Sequence, residues 1–299
     1  MLVIVIALLM SARLLLFQPN GADFRRIFEE GLARRIQQYG IEDARTAQAS
    51  RDLGMFLKQA GNIEDARGVL LQTLRYDESA FGAKALQTLQ DAAELAAISL
   101  PSQAEPLWMR AAQSPEASLA ATAFDALAAL RGAAGDTTGA VNFYRKALAA
   151  EQTASGARSP QVAVRMSALG MVVKPAEGMP LVLRALEIER DALGPGHPQT
   201  ATTAANLAGM LLNAGKIDGA IVLLERAITV FEVTLGKDHP RVATATSILG
   251  TAYNKKGDPA RAVALLRHAL AIDEKAYGAD HEQTVADRKH LVEVLNGPQ

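Results

Sequence analysis

Two stretches of this chain carry the same order of apolar and polar positions, 42 residues apart. In "ATTAANLAGMLLNAGKIDGAIVLLERAITVFEVTLG", from Ala201, and "ATATSILGTAYNKKGDPARAVALLRHALAIDEKAYG", from Ala243, Leu207 falls on Leu249 and Gly215 on Gly257. Ala220 falls on Ala262, Leu224 on Leu266 and Ala227 on Ala269. A leucine and the large residue four places later share one face of a helix. The glycine that follows predicts the end of that helix, because a left-handed backbone costs a residue with a Cβ more than it costs glycine. Beyond it, the two alanines give a second helix a face that another backbone can approach closely, with the intervening leucine filling the gap. One such hairpin cannot bury its own apolar face, so the pattern predicts hairpins stacked on one another.

The same pattern recurs upstream. "RDLGMFLKQAGNIEDARGVLLQTL" carries it through Leu53, Gly54, Leu57, Gly61, Ala66 and Leu70, and "FDALAALRGAAGDTTGAVNFYRKAL" through Leu127, Gly135, Ala140, Tyr144 and Ala147. Two copies are degenerate. One keeps Ala104, Trp108 and Ala111 but has Ser99 where the turn glycine belongs; the other keeps Leu169, Gly170 and Ala185 with a shortened interval between. The last alanine-type position runs Thr73, Ala111, Ala147, Ala185, Ala227 and Ala269, with steps of 38, 36, 38, 42 and 42 residues.

Between the later copies stands a phrase Gly-x-x-His-Pro, at Gly194–Pro198 and Gly236–Pro240, with a near copy ending in Glu282. It spaces His197, His239 and His281 by 42 residues. Equivalent residues of adjacent packed helices lie about 10 Å apart, whereas zinc ligands each reach within about 2.1 Å of one ion. The three histidines therefore cannot share a metal. The glycine reads as a helix stop, the proline as a first helical position and the histidine as a cap of the helix N-terminus. Asp43 takes the histidine's place in "QYGIEDARTA", making Phe24–Gln38 the second helix of a preceding half-repeat.

These residues together resemble the tetratricopeptide repeat (TPR), whose ordinary step is about 34 residues. The 42-residue form with Gly-x-x-His-Pro resembles the kinesin light chain type, most fully over Pro160–Leu295. The eight extra residues amount to about two helical turns, so the apolar faces stay in phase. The resemblance implies an all-α fold, a right-handed α-helical solenoid of TPR hairpins. The expected organisation is a leading half-repeat helix over 18–44, then about six repeats with a C-terminal capping helix over 45–296.

The resemblance also implies where binding occurs. In such arrays the first helix of each hairpin lines a concave face on which extended or helical peptides lie. Carried over by position, the groove set is Thr202, Asn206 and Asn213 in one repeat, with Ala205 and Gly209 beside them. The next offers Thr244, Ser247, Thr251, Asn254 and Lys255, and the cap helix adds Lys289. Asn206 matches the asparagine that light-chain repeats use to hold a peptide backbone, since an amide both donates and accepts. The next repeat departs from this with Ile248. The plainer account is that these are ordinary polar residues of a helix face.

Composition narrows the rest. Apolar residues make up 49% of the chain but aromatics only 5%, which suits closely packed helices better than a β-sandwich core. The formal net charge of −1 leaves no basic footprint for nucleic acid. With no cysteine, disulfides, thiolate metal sites and cysteine nucleophiles are excluded. "GAAGDTTG" lacks the Lys-Ser/Thr of a phosphate loop, His268 and His290 read as isolated helical residues, and no nucleophile–base pairing has a local signature. The expectation is a non-catalytic scaffold with no cofactor, no metal and no small-molecule substrate, binding a protein or peptide partner. The alternative is a regulatory or sensor module of a complex whose catalytic activity lies on another chain.

The first seventeen residues, "MLVIVIALLMSARLLLF", differ from all that follows. An apolar run of nine, Leu2–Met10, has the length of a signal-peptide core and falls short of a spanning helix. Residues 1–17 are expected to be a signal peptide or N-terminal membrane anchor, giving membrane association through residues 2–17 and an exported or anchored protein. Against that, no Lys or Arg precedes the run and Arg13 interrupts it. A misplaced start or a hydrophobic first helix capping the solenoid, and with them a cytoplasmic location, stay open.

Overall fold

The structure, a computed structural model, describes residues 21–296, and among them the chain forms fourteen helices and no strand. The helices are α1 (Gly21–Tyr39), α2 (Ala44–Gln59), α3 (Ile63–Phe81), α4 (Leu86–Ala96), α5 (Pro101–Ala111), α6 (Ala117–Ala133) and α7 (Thr137–Ser155). They continue as α8 (Pro160–Val172), α9 (Pro175–Leu193), α10 (Pro198–Asn213), α11 (Ile217–Leu235), α12 (Pro240–Lys256), α13 (Pro259–Tyr277) and α14 (Glu282–Asn296). The chain divides into two compact units between Leu130 and Arg131, within α6. In the first unit α1 to α5 each pack on the next; in the second α7 to α14 do the same. This is the all-α solenoid of helix hairpins that the pattern predicts. The apolar segment 1–17 lies outside the described residues. No described helix is long and apolar enough to cross a membrane.

The long period has a simple origin in the structure. The second helices α3, α7, α9, α11 and α13 each have nineteen residues, as does α1, whereas α5, in the degenerate copy, has eleven. The extra turns are therefore spent on the second helix. The helix stops are where the glycines are: Gly257 closes α12 with φ 87° and ψ 22°, in the left-handed region. In the degenerate copy the turn has no such glycine, and Ser99 donates its hydroxyl to the Leu95 carbonyl at 2.7 Å.

Small residues set how closely the helices of a hairpin approach. A Cβ on Gly54 would stand 2.7 Å from the Leu70 Cδ2, and one on Gly250 would stand 2.9 Å from the Leu266 Cγ. Leu70, Leu224 and Leu266, from three second helices, are fully buried, each contributing on the order of 1.5–3 kcal/mol. Trp108 is buried in the core, as its repeat position predicts.

Candidate binding face of the second unit

The start of each first helix is fixed by its cap. His197 Nδ1 accepts from the Gln199 amide at 3.1 Å, His239 Nδ1 from the Arg241 amide at 3.1 Å and His281 Nδ1 from the Gln283 amide at 3.2 Å. Pro198 and Pro240 follow at the first helical positions of α10 and α12. The repeating histidines are caps, doing what the Asp43 and Ser159 side chains do for α2 and α8.

With its start fixed, α10 buries Ala201, Ala204, Leu207, Ala208 and Leu212. That leaves Thr202, Asn206, Gly209 and Asn213 as a stripe at helical spacing. Polar bridges tie each first helix to the next across this stripe. The Asn206 amide donates to the Ser167 hydroxyl of α8 at 3.3 Å, and the Arg241 guanidinium of α12 donates to the Thr202 hydroxyl at 3.2 Å. Thr251 Oγ1 lies 3.4 Å from His290 Nε2 of α14. The first helices of the second unit thus share one face.

The expected residues occupy that face unequally. Asn213, Asn254 and Lys255 are exposed, and Thr244 is exposed with its hydroxyl donating to the Pro240 carbonyl at 3.1 Å. Thr202 and Thr251 are half-buried and bond back to their own helices, at the Pro198 and Ser247 carbonyls. Lys289 is exposed, 3.9 Å from Glu293 Oε1. Ser247 stands apart: only 7% exposed, it donates to Asp287 Oδ1 of α14 at 2.9 Å, inside a helix junction. A Cβ at Gly209 would meet nothing within 4 Å, so that turn of the face is open.

Three side chains join the face that the residue types alone did not suggest. Val164 and Met171 of α8 are exposed apolar groups two helical turns apart, at the repeat positions of Thr202 and Gly209. His290 stands at the position of Asn206 and Ile248, which its spacing of 42 residues from Ile248 encodes.

Beneath the face, one position recurs at five of the junctions between hairpins, four residues beyond the closing alanine-type residue of the second helix. There Asp77 meets Arg51 Nη2 at 2.6 Å, while Asp91 takes the Arg51 Nε at 2.6 Å. Glu151 meets Arg165 at 2.9 Å, and Glu189 accepts from the Gln199 amide at 3.3 Å. Phe231 is apolar and buried; Asp273, fully buried, faces Asp287. Burial, then Asp91, pushes the Asp77 carboxyl above the usual carboxylate range, against the pull of Arg51. Burial, then Asp287, pushes the Asp273 carboxyl up with no cation opposing. Burial also raises Glu189, opposed by the neighbouring Thr203 hydroxyl and by the hydrogen bond from Gln199.

An all-α array of hairpins with capped first helices presenting one face defines a repeat scaffold. The tetratricopeptide repeat model matches residues 174–232 and 203–275, so this part of the array carries tetratricopeptide repeats. Comparison with curated proteins finds no match. Among solved structures, a tetratricopeptide repeat protein from Parabacteroides merdae matches at 14% identity with TM-score 0.57, over 90% of this chain and 99% of that one. One chain of the APC/C hetero-tetramer Cut9-Hcn1 matches at 16% identity with TM-score 0.60, over 90% of this chain and 46% of that one. Putative kinesin light chain repeats of Podosopora anserina match at 19% identity with TM-score 0.42, over 77% of this chain and 95% of that one.

Proposed function

We propose that this protein is a non-catalytic scaffold that binds an extended segment of a partner protein along the first-helix face of its second unit. Tetratricopeptide repeats typically engage protein partners, and the face offers what a peptide needs. The observation that carries the reading is the conjunction, on one face, of exposed Val164 and Met171 with the exposed amides of Asn213 and Asn254 and the ammonium of Lys255. Apolar side chains of a segment would lie over α8. Its backbone groups would pair with the amides of α10 and α12, which donate and accept at once, as in the peptide-recognition modes that reuse exposed backbone. Ser247 is not part of this face. His290 replaces it as the polar group supplied near the cap helix.

The test is substitution on the face. Replacing Asn206 and Asn213 with alanine is expected to weaken retention of the partner at least tenfold, on the order of 1.4 kcal/mol, without changing the thermal midpoint by more than a few degrees. Unchanged retention of every partner by the folded double variant would show that binding lies elsewhere.

A further inference from the structure

The terminal junction departs from the others in charge. At the first junction the guanidinium of Arg51 lies between Asp77 and Asp91. At the last, Ser247, Asp273 and Asp287 stand at the equivalent three repeat positions, so the same two acids meet with a serine where the arginine was. Ser247 satisfies only Asp287 Oδ1. Both oxygens of Asp273 and the Oδ2 of Asp287 are buried and have no hydrogen-bond partner. Two unpaired carboxylates cannot both stay ionised in such a place, because burial and mutual repulsion both favour protonating one of them.

We propose that the Asp273–Asp287 pair is a proton-operated latch on the terminal helix: one shared proton holds α14 against α13, and its loss loosens α14. The elements packed against α13 are α12 and α14. From α12 the group facing the pair is the Ser247 hydroxyl. The cations of α12 are engaged or exposed: Lys256 pairs with Asp218, Arg241 bonds Thr202 and Lys255 faces outward. On α14, Arg288 pairs with Glu274 of α13 and Lys289 approaches Glu293, all exposed. Two histidines lie nearby, His281 at the cap and His290 against Thr251. The folded-state affinity of the acid pair for the proton exceeds that of an unfolded aspartate, near pH 4. The stabilisation is therefore full below that value and is lost as pH rises through the raised one. Loosening carries Lys289 and His290 out of the first-helix face, whatever binds there.

Amide hydrogen exchange of α14 in the full chain, corrected for intrinsic rates, tests the latch between pH 4.5 and 8. Protection of α14 is expected to fall at least about tenfold as pH rises, as it must if the folded pair holds its proton at least about ten times more tightly than the unfolded chain does. In Asp273→Asn the new amide donates to Asp287 as the shared proton does, so protection should stay flat across the range. Ser247→Arg, restoring the arrangement of the first junction, should also reduce the slope. Wild-type protection that is flat or rises with pH, or equal slopes in the wild type and both variants, would overturn the proposal.

Discussion

Where α2, α3 and α4 meet, Arg51 donates to both Asp77 and Asp91, forty residues separating the arginine from the second acid. Where α12, α13 and α14 meet, Ser247 lies forty residues before Asp287, and Asp273 takes the place of Asp77. The repeat supplies the same geometry twice, and a single side chain decides what it does. With the guanidinium, the buried acids hydrogen-bond to a cation that pulls against the rise of the Asp77 carboxyl without cancelling it. With serine, no cation opposes the rise of Asp273. The intermediate junctions show other solutions to the same position: Glu151 with Arg165, Glu189 with Gln199, and Phe231 in an apolar setting. Period conserves where side chains meet, while local residue choice sets whether they attract.

Removing the cation is the largest way to break the contrast. Arg51→Met leaves Asp77 and Asp91 buried and facing without compensation, and breaking a buried network in this way costs about 3–5 kcal/mol. The single tryptophan, Trp108, lies in the first unit, so its fluorescence during urea unfolding reads that loss. A second substitution, Asp77→Asn, should recover part of it. The next effect concerns packing inside a hairpin against the terminal helix. Gly250→Val places a side chain where even a Cβ stands 2.9 Å from Leu266, and overpacking of this kind costs about 1–3 kcal/mol. Val292 already occupies the equivalent position of α14 and is largely exposed. Val292→Ala should therefore stay within about 0.5 kcal/mol of wild type. Both are read by thermal unfolding followed by circular dichroism.

These contrasts also show what could be read before the structure. The period, the helix stops at Gly215 and Gly257 and the caps at His197 and His239 all rest on local chemistry. Each needs only its neighbours in sequence to be understood. Val292 was legible too, since every earlier copy has Gly or Ala after its leucine, from Gly54 to Gly250. The fate of Ser247 was not local. Its residue type suits an open polar face, and only the approach of Asp287 from the following helix removes it from that face. Val164 and Met171 were hidden for the converse reason: valine and methionine on a helix ordinarily predict burial, and the structure leaves both exposed. The division between Leu130 and Arg131 falls inside a continuous helix, α6, and Gly132 beside it is a lone helical glycine, which does not by itself announce a boundary.

The smallest expected effect lies at the caps. His239→Ala should cost about 0.5–1 kcal/mol, whereas His239→Asp, which copies the cap at Asp43, should be close to neutral. Thermal midpoints of the two variants side by side separate capping from any other use of the ring.

The proposed binding mode places the partner on the first-helix face. A photo-crosslinking residue placed at Asn213, on that face, can be compared with one at Val233, which is 81% exposed on the second helix α11. In cells producing the full chain, the expected result is a partner cross-linked from Asn213 and none from Val233. A partner cross-linked from Val233 with none from Asn213 would contradict the proposed binding mode.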